Sequence, residues 1–294
     1  MFSKKQFSRY LSRLSYFSHL FWLLLFAFVT SFTIGAFTPS FAAESKPVVV
    51  KVGTTSDEPR IWNAVQKNLD AAGENIKIEI VYLTPGNPNE FLAAGEIDLN
   101  AFQHYAYLKK NSSDLKLDLT PIGNTLIVPL SLFSKKVKSL EELKSKQKPK
   151  IIIPDDAVNQ ARALLVLRNA GLIGVDEAAG TSPLIKNVTS NPLGIEFIEI
   201  TGAQIPRSLE DADAGIINCG YATDAGFDPV NDPIFKDTID LKNPAQQPFI
   251  NIIVARTADK DNEVYKKVVA AYHQPNVADA IRDVFKGAAL PAWE

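Results

Sequence analysis

The stretch Asp98-Leu-Asn-Ala-Phe-Gln-His-Tyr-Ala-Tyr107 is the densest run of polar and aromatic groups in the chain, and it falls where a β-type run gives way to a helix. In open α/β sheets small molecules bind beyond the carboxyl ends of the strands. Rings with a polar tip supply both apolar contact and hydrogen bonds there. Phe102, His104 and Tyr107 are therefore candidates for the walls of a ligand pocket. The plainer alternative makes Phe102 and Tyr107 core residues and His104 a helix cap.

Catalytic signatures are missing. The sequence holds no GxSxG elbow, no GxxxxGK[ST] loop and no GxGxxG after a strand, so an enzyme is the weaker reading. Catalysis by a Ser/His pair would need His104 or His273, and His273 lies in Tyr272-His273-Gln274-Pro275, which reads as a helix end. Cys219 is the single cysteine, so no intramolecular disulfide can form, and such a residue most often serves as a small buried hydrophobe. Without a Cys/His cluster or an HExxH spacing, neither a zinc site nor any cofactor is expected. Asp211 and Asp213 look like an acid pair but fall between a helix and a strand, where solvation is expected.

At the N-terminus Lys4, Lys5, Arg9 and Arg13 precede the apolar run Leu20 to Phe37 and the small-residue site Ser40-Phe41-Ala42, with no acidic residue before Glu44. That is the pattern of a secretory signal peptide cleaved near Ala42, and it implies a periplasmic protein. No cysteine stands at that site for lipid attachment. If the run were retained, the chain would instead be a membrane-tethered sensor or adhesion protein. Four of the 31 basic residues and none of the 33 acidic ones lie in the leader, leaving a formal charge of about −6. Such a balance argues against nucleic acid or an anionic membrane as partner.

The elements that must position these residues alternate. Strand-like runs at Val48 to Val52, Ile76 to Tyr82, Leu126 to Phe133, Ile151 to Ile153, Ile195 to Ile200, Ala214 to Ile217 and Ile250 to Ala255 are separated by helical periodicities. Helical spacing is clearest in Ile61, Trp62, Val65 and Leu69, in Ala161, Leu164, Leu165 and Leu167, and in Val264, Val268 and Ala271. Ser139 with Glu142 makes a capping box. Strands alternating with helices predict an α/β fold with mixed, mostly parallel sheets covered on both faces.

Five blocks carry a resemblance: Asn100-Ala-Phe-Gln-His-Tyr-Ala-Tyr-Leu108, Asn159-Gln-Ala-Arg-Ala-Leu-Leu165, Ala203-Gln-Ile-Pro-Arg-Ser-Leu209, Asp213-Ala-Gly-Ile-Ile-Asn218 and Gly287-Ala-Ala-Leu-Pro-Ala-Trp293. Their types and order resemble the NlpA/MetQ family of substrate-binding proteins of methionine-type ABC importers. The resemblance implies a two-lobed periplasmic binding protein fold of type II with two hinge crossings. Lobe one is expected at 47–132 plus 250–294, and lobe two at 133–249. It also implies a monomer that binds an amino acid, foremost L-methionine, and delivers it to an ABC importer permease without catalysis.

Carried onto this chain, the family pattern makes Arg162 the partner of the ligand carboxylate, Asn159 and Asn218 contacts to the amino-acid head group, and Phe102, His104 and Tyr107 the side-chain pocket. A guanidinium presents parallel donors that match a carboxylate, and Arg162 is expected in the first turn of its helix, where free N–H groups also favour an anion. Otherwise it would be a surface arginine pairing with Asp155 or Asp156. Asn159 could be an N-cap and Asn218 a turn residue, while Tyr82, ending its strand, could line the pocket or serve the core. The chain departs from the family pattern at Thr84-Pro85, where Asp-Tyr is common, and at Gly220, where a second amide is common. Those changes would reshape the pocket, so the rival ligands are another apolar amino acid or a short methionine-containing peptide. An exported hydrolase using His104 is the rival from another class.

Overall fold

The structure, a computed structural model, describes residues 46–293. The signal-peptide reading, with its cleavage near Ala42, lies outside the described residues. Among those, no helix is long and apolar enough to cross a membrane.

In chain order the elements used below are β1 (Val48–Thr54), α1 (Arg60–Ala71), β2 (Ile76–Tyr82), α2 (Pro88–Ala93), β3 (Leu99–His104), α3 (Tyr105–Leu115), β4 (Leu119–Asn124), β5 (Leu130–Phe133) and α4 (Leu140–Lys144). They continue as β6 (Lys150–Pro154), α5 (Ala157–Asn169), β7 (Glu196–Ile200), β8 (Ala214–Asn218), α6 (Cys219–Asp224), β9 (Phe235–Lys236), β10 (Asn251–Arg256), α7 (Glu263–Tyr272) and α8 (Pro275–Val284).

Two five-stranded sheets organise the molecule. The first has the order β2-β1-β3-β10-β4, and the second β7-β6-β8-β5-β9. In each, three consecutive strands pair in parallel and one antiparallel strand arrives from the other half of the chain: β10 against β3 and β4, β5 against β8 and β9. The chain therefore passes between the sheets twice, once between β4 and β5 and once between β9 and β10.

Apolar residues cover both faces of both sheets. On the first, Val50, Val52, Leu69, Val268 and Ile281 form one core and Leu92, Ile97, Ile252 and Val254 the other. The second has Leu132, Ile151, Leu164, Leu167 and Ile216 on one face and Phe133, Ile152, Ile205 and Ile217 on the other. Runs buried on both sides explain why β6 and β8 read as continuous apolar stretches.

Several elements differ from their sequence reading. Leu126 to Phe133 is not one strand: Leu126–Ile127 pairs with Leu290–Pro291, while β5 pairs in the second sheet. Leu130 to Leu132, assigned by sequence to the first lobe, thus hydrogen-bonds within the second sheet. The capping box at Ser139 is half formed, because Glu142 accepts from the Lys138 N–H and not from that of Ser139. Helix α8 was missed although Val277, Ala278, Ile281 and Val284 have helical spacing; Pro275 reads equally as a stop and as the first residue of a new helix, and here it is the latter.

A cluster of buried amides locks β3 to α2. Asn89 and Gln103 exchange amide hydrogen bonds, Asn100 donates to Asn89 at 2.9 Å, and Asn89 also donates to Asn111 at 2.8 Å. Asn89, Asn100 and Gln103 are all buried. Truncating Asn89 strands the other amides, at ~1–3 kcal/mol for each unsatisfied group. Urea denaturation of Asn89→Ala is expected to show a loss of at least ~2 kcal/mol with an unchanged m value.

Candidate ligand-binding site

The parallel strands β1, β3, β6, β7 and β8 all end around one cavity of about 320 Å³ between the two sheets. Thr54 to Ser56, Ala101 to His104 and Tyr107 line it from the first sheet, and Asp155, Asp156, Asn159, Arg162, Gly202 and Asn218 to Tyr221 from the second. This is the place the strand-end rule assigns to a ligand. Among the described residues, the six sequence candidates Phe102, His104, Tyr107, Asn159, Arg162 and Asn218 all line it. Tyr82 does not: it ends the edge strand β2 with half its surface exposed.

Arg162 is the cation of this cavity. Helix α5 begins at Ala157 with Asp156 as its cap, so Arg162 is the sixth helical residue, one turn beyond the free N–H groups. Sequence reasoning placed it in the first turn because the apolar periodicity becomes visible only at Ala161. The surface reading fails as well. Arg162 is 6% exposed, Asp155 accepts a hydrogen bond from Thr201, and Asp156 is occupied by Asn159.

Of the five N–H donors of its guanidinium, one reaches a protein acceptor, the Val128 carbonyl at 3.4 Å. Among the described residues no carboxylate forms an ion pair with it. Burial lowers its pKa to about 10, opposed by the fields of Asp237 and Asp156, so it remains charged at neutral pH. Its central carbon lies over the Phe249 ring, 4.5 Å from the ring centre.

The polar groups around it form a directed chain. Asp156 accepts from the Asn159 backbone N–H at 2.9 Å and from its side-chain NH₂ at 3.0 Å, which turns the Asn159 carbonyl oxygen toward the cavity. That oxygen accepts from Asn218 Nδ2 at 3.1 Å and meets His104 Nε2 at 3.4 Å. His104 caps α3 by accepting the Tyr107 N–H on Nδ1, so the hydrogen-bond pattern assigns the ring proton to Nε2. Burial and the nearby Arg162 depress its pKa to about 3. A neutral ring with both nitrogens engaged has no lone pair left to act as a base.

Asn159 is thus not the cap but the organiser of its neighbours, with both ends of its amide occupied. His104 caps α3 and also lines the cavity, so the two positions are compatible. Phe102 and Tyr107 meet edge to face at 5.8 Å and form an apolar wall. Burial pushes the Cys219 thiol up to about 12, which keeps it protonated and inert. His273 caps α7 elsewhere, bonded to the Asn124 carbonyl at 2.7 Å and stacked on Trp293. Asp213 accepts from the Lys150 N–H and pairs with Lys146, so it serves the start of β6.

Four carboxylates, Glu58, Asp155, Asp156 and Asp224, share the cavity wall with that single guanidinium. Across the mouth Ser56 Oγ donates to Asp224 at 2.7 Å, joining the first sheet to the second. Burial, partly offset by this hydrogen bond, raises the Asp224 pKa to about 6. Neither Ser56 nor Asp224 was found by sequence reasoning, nor was Phe249. Each lies in a polar loop or short helix with no periodicity to mark it.

Comparisons with known proteins fit this geometry. The family profile described as NlpA lipoprotein matches residues 50–293. A curated relative from Escherichia coli K12, the D-methionine-binding lipoprotein MetQ, is 34% identical over 282 residues, covering 92% of this chain and all of the relative. A solved nutrient-binding protein from Burkholderia cenocepacia bound to methionine is 33% identical with a TM-score of 0.73, covering 83% of this chain and all of that one. The substrate-binding protein of a methionine transporter from Streptococcus pneumoniae is 31% identical with a TM-score of 0.76, covering 83% and 96%. The two sheets and their two crossings are those of a periplasmic binding protein, and the chain belongs to the NlpA lipoprotein family.

Proposed function

We propose that this chain is the extracytoplasmic binding component of an ABC importer, and that it holds methionine between its two halves for delivery to a membrane permease. One observation carries the reading: a buried, charged guanidinium faces a cavity with nearly all its donors unused. Burying a cation without a partner is costly, and a ligand carboxylate would remove that cost while filling two parallel donors. The carboxylates of the same wall complement an ammonium group, so the ligand is a zwitterion. Phe102, Tyr107 and the neutral face of His104 then meet its apolar side chain. The names of the relatives supply methionine as the side chain that fits such a wall.

Lobe one is proposed as 47–132 plus 250–294, trimmed by the pairing of β5, and lobe two as the segment between. Because the liganded form favours closure, a permease can distinguish loaded from empty protein. Export is part of the proposal and is supported by the basic and apolar N-terminal stretch, which has the pattern of a signal peptide. A second ligand reading is favoured by Gly220, which lines the cavity and where an added Cβ would meet no atom within 4 Å beyond its own neighbours and helix backbone. That free space suits a short methionine-containing peptide.

Calorimetry with L-methionine, D-methionine and methionine dipeptides, on wild type and Arg162→Ala, tests the reading. Removing one partner of a buried charge pair costs ~2–5 kcal/mol, so affinity for the preferred ligand is expected to fall about 30- to several-thousand-fold while circular dichroism stays unchanged. Unaltered affinity would exclude Arg162 from the site.

His104 adds a pH signature. Its folded pKa of about 3 lies below that of an unfolded histidine, about 6.5, so between these values the unfolded chain binds the extra proton. The stability it contributes is complete above about pH 6.5 and falls toward pH 3 by ~1.4 kcal/mol per unit. Between about pH 6.5 and 4.5, wild type should therefore lose ~2 kcal/mol more than His104→Gln in urea titrations. Parallel losses in the two proteins would contradict the neutral imidazole.

A further inference from the structure

The second crossing between the sheets, from β9 to β10, is more than a connector. It is braced internally: Gln246 donates to the Thr238 carbonyl, Gln247 to the Leu241 carbonyl, and Asn243 caps the short turn Pro244–Phe249. At its end the Ile250 carbonyl accepts the Tyr105 N–H at 3.2 Å, which fastens the crossing to the start of α3 beside His104. This bracing delivers one side chain to the binding residues of both halves. The Arg162 guanidinium carbon lies over the Phe249 ring, 4.5 Å from its centre, and that ring meets His104 edge to face at 5.5 Å.

We propose that Phe249 is a positioning residue of the binding site: the face of its ring holds the Arg162 guanidinium at the place where a ligand carboxylate docks. A carboxylate partner would also keep the guanidinium in place, but it would occupy the donors that the ligand needs. An aromatic face stabilises the cation through its quadrupole and leaves the N–H edge free. The edge contact to His104, which comes from the first sheet, sets the ring's tilt against the opposite wall. Arg162 is thereby kept aimed in the empty cleft, and the ligand does not have to order it.

This inference rests on the carboxylate role proposed for Arg162, and the experiment separates the two. L-methionine affinity is measured by calorimetry for Phe249→Leu, for Phe249→Trp, and for protein carrying pentafluorophenylalanine at position 249, which keeps the ring's shape while reversing the charge on its face. A desolvated cation–π contact predicts a loss of about 5- to 30-fold for the leucine and fluorinated proteins, with Phe249→Trp within about 3-fold of wild type. The Nε–Hε signal of Arg162 in ¹⁵N NMR, identified by its absence in Arg162→Lys, should move away from its ring-shifted position in Phe249→Leu. Wild-type affinity in the fluorinated protein would overturn the proposal, because it would reduce Phe249 to packing, and so would equal losses in the leucine and tryptophan variants. If Arg162→Ala binds normally, the carboxylate reading itself fails; if it does not bind while the Phe249 series is silent, only the present inference fails.

Discussion

A guanidinium removed from water, with one long hydrogen bond and no ion pair among the described residues, is the constraint around which this cleft is built. Burial lowers the Arg162 pKa only to about 10, so the group does not escape its cost by losing a proton. The groups around it tolerate a cation without pairing with it: a neutral imidazole, amides that satisfy each other, an aromatic face, a protonated thiol and the more distant carboxylates of Asp156 and Asp237, which act through their fields. Such an arrangement is hard to justify by stability alone, since an apolar side chain would serve a core better. It is well suited to a ligand that brings the missing negative charge.

The architecture follows from putting that charge at the strand ends of two sheets. Each sheet is finished by a strand belonging to the opposite half of the chain, so the halves are joined by two crossings. Both crossings reach the cation: the first supplies the Val128 carbonyl and the second the Phe249 ring. On the proposed reading, movement about the crossings and occupation of the guanidinium are therefore physically linked. The ion-binding residue is held by the same segments that must bend when the cleft opens.

Much of this was legible in the sequence, for identifiable reasons. The strands β2, β6, β7, β8 and β10 are apolar runs or alternations bounded by Gly, Pro or polar residues, and those signals are local. The run from Asn100 to Tyr107 showed itself because a strand end, a cap and three rings coincide. What was hidden depended on partners distant in sequence. Nothing local reveals that Val128-Pro129 separates two strands of different sheets, that Ser56 meets Asp224, or that Asn159 is saturated by Asp156, Asn218 and His104. Phe249, a single ring in a Gln-Gln-Pro loop, acquires its meaning only from Arg162, 87 positions earlier by the numbering. Tyr82, half exposed at the end of the edge strand β2, lies outside the residues that line the cavity, and its strand-end position alone did not separate a wall from a rim.

A crystal structure of the protein with L-methionine bound is the most direct examination of the central idea. The account predicts the ligand carboxylate within hydrogen-bonding distance of the Arg162 guanidinium, its ammonium toward the acidic wall and its thioether against Phe102 and Tyr107. A ligand seated elsewhere, or one whose carboxylate faces solvent while Arg162 keeps its empty donors, would contradict it.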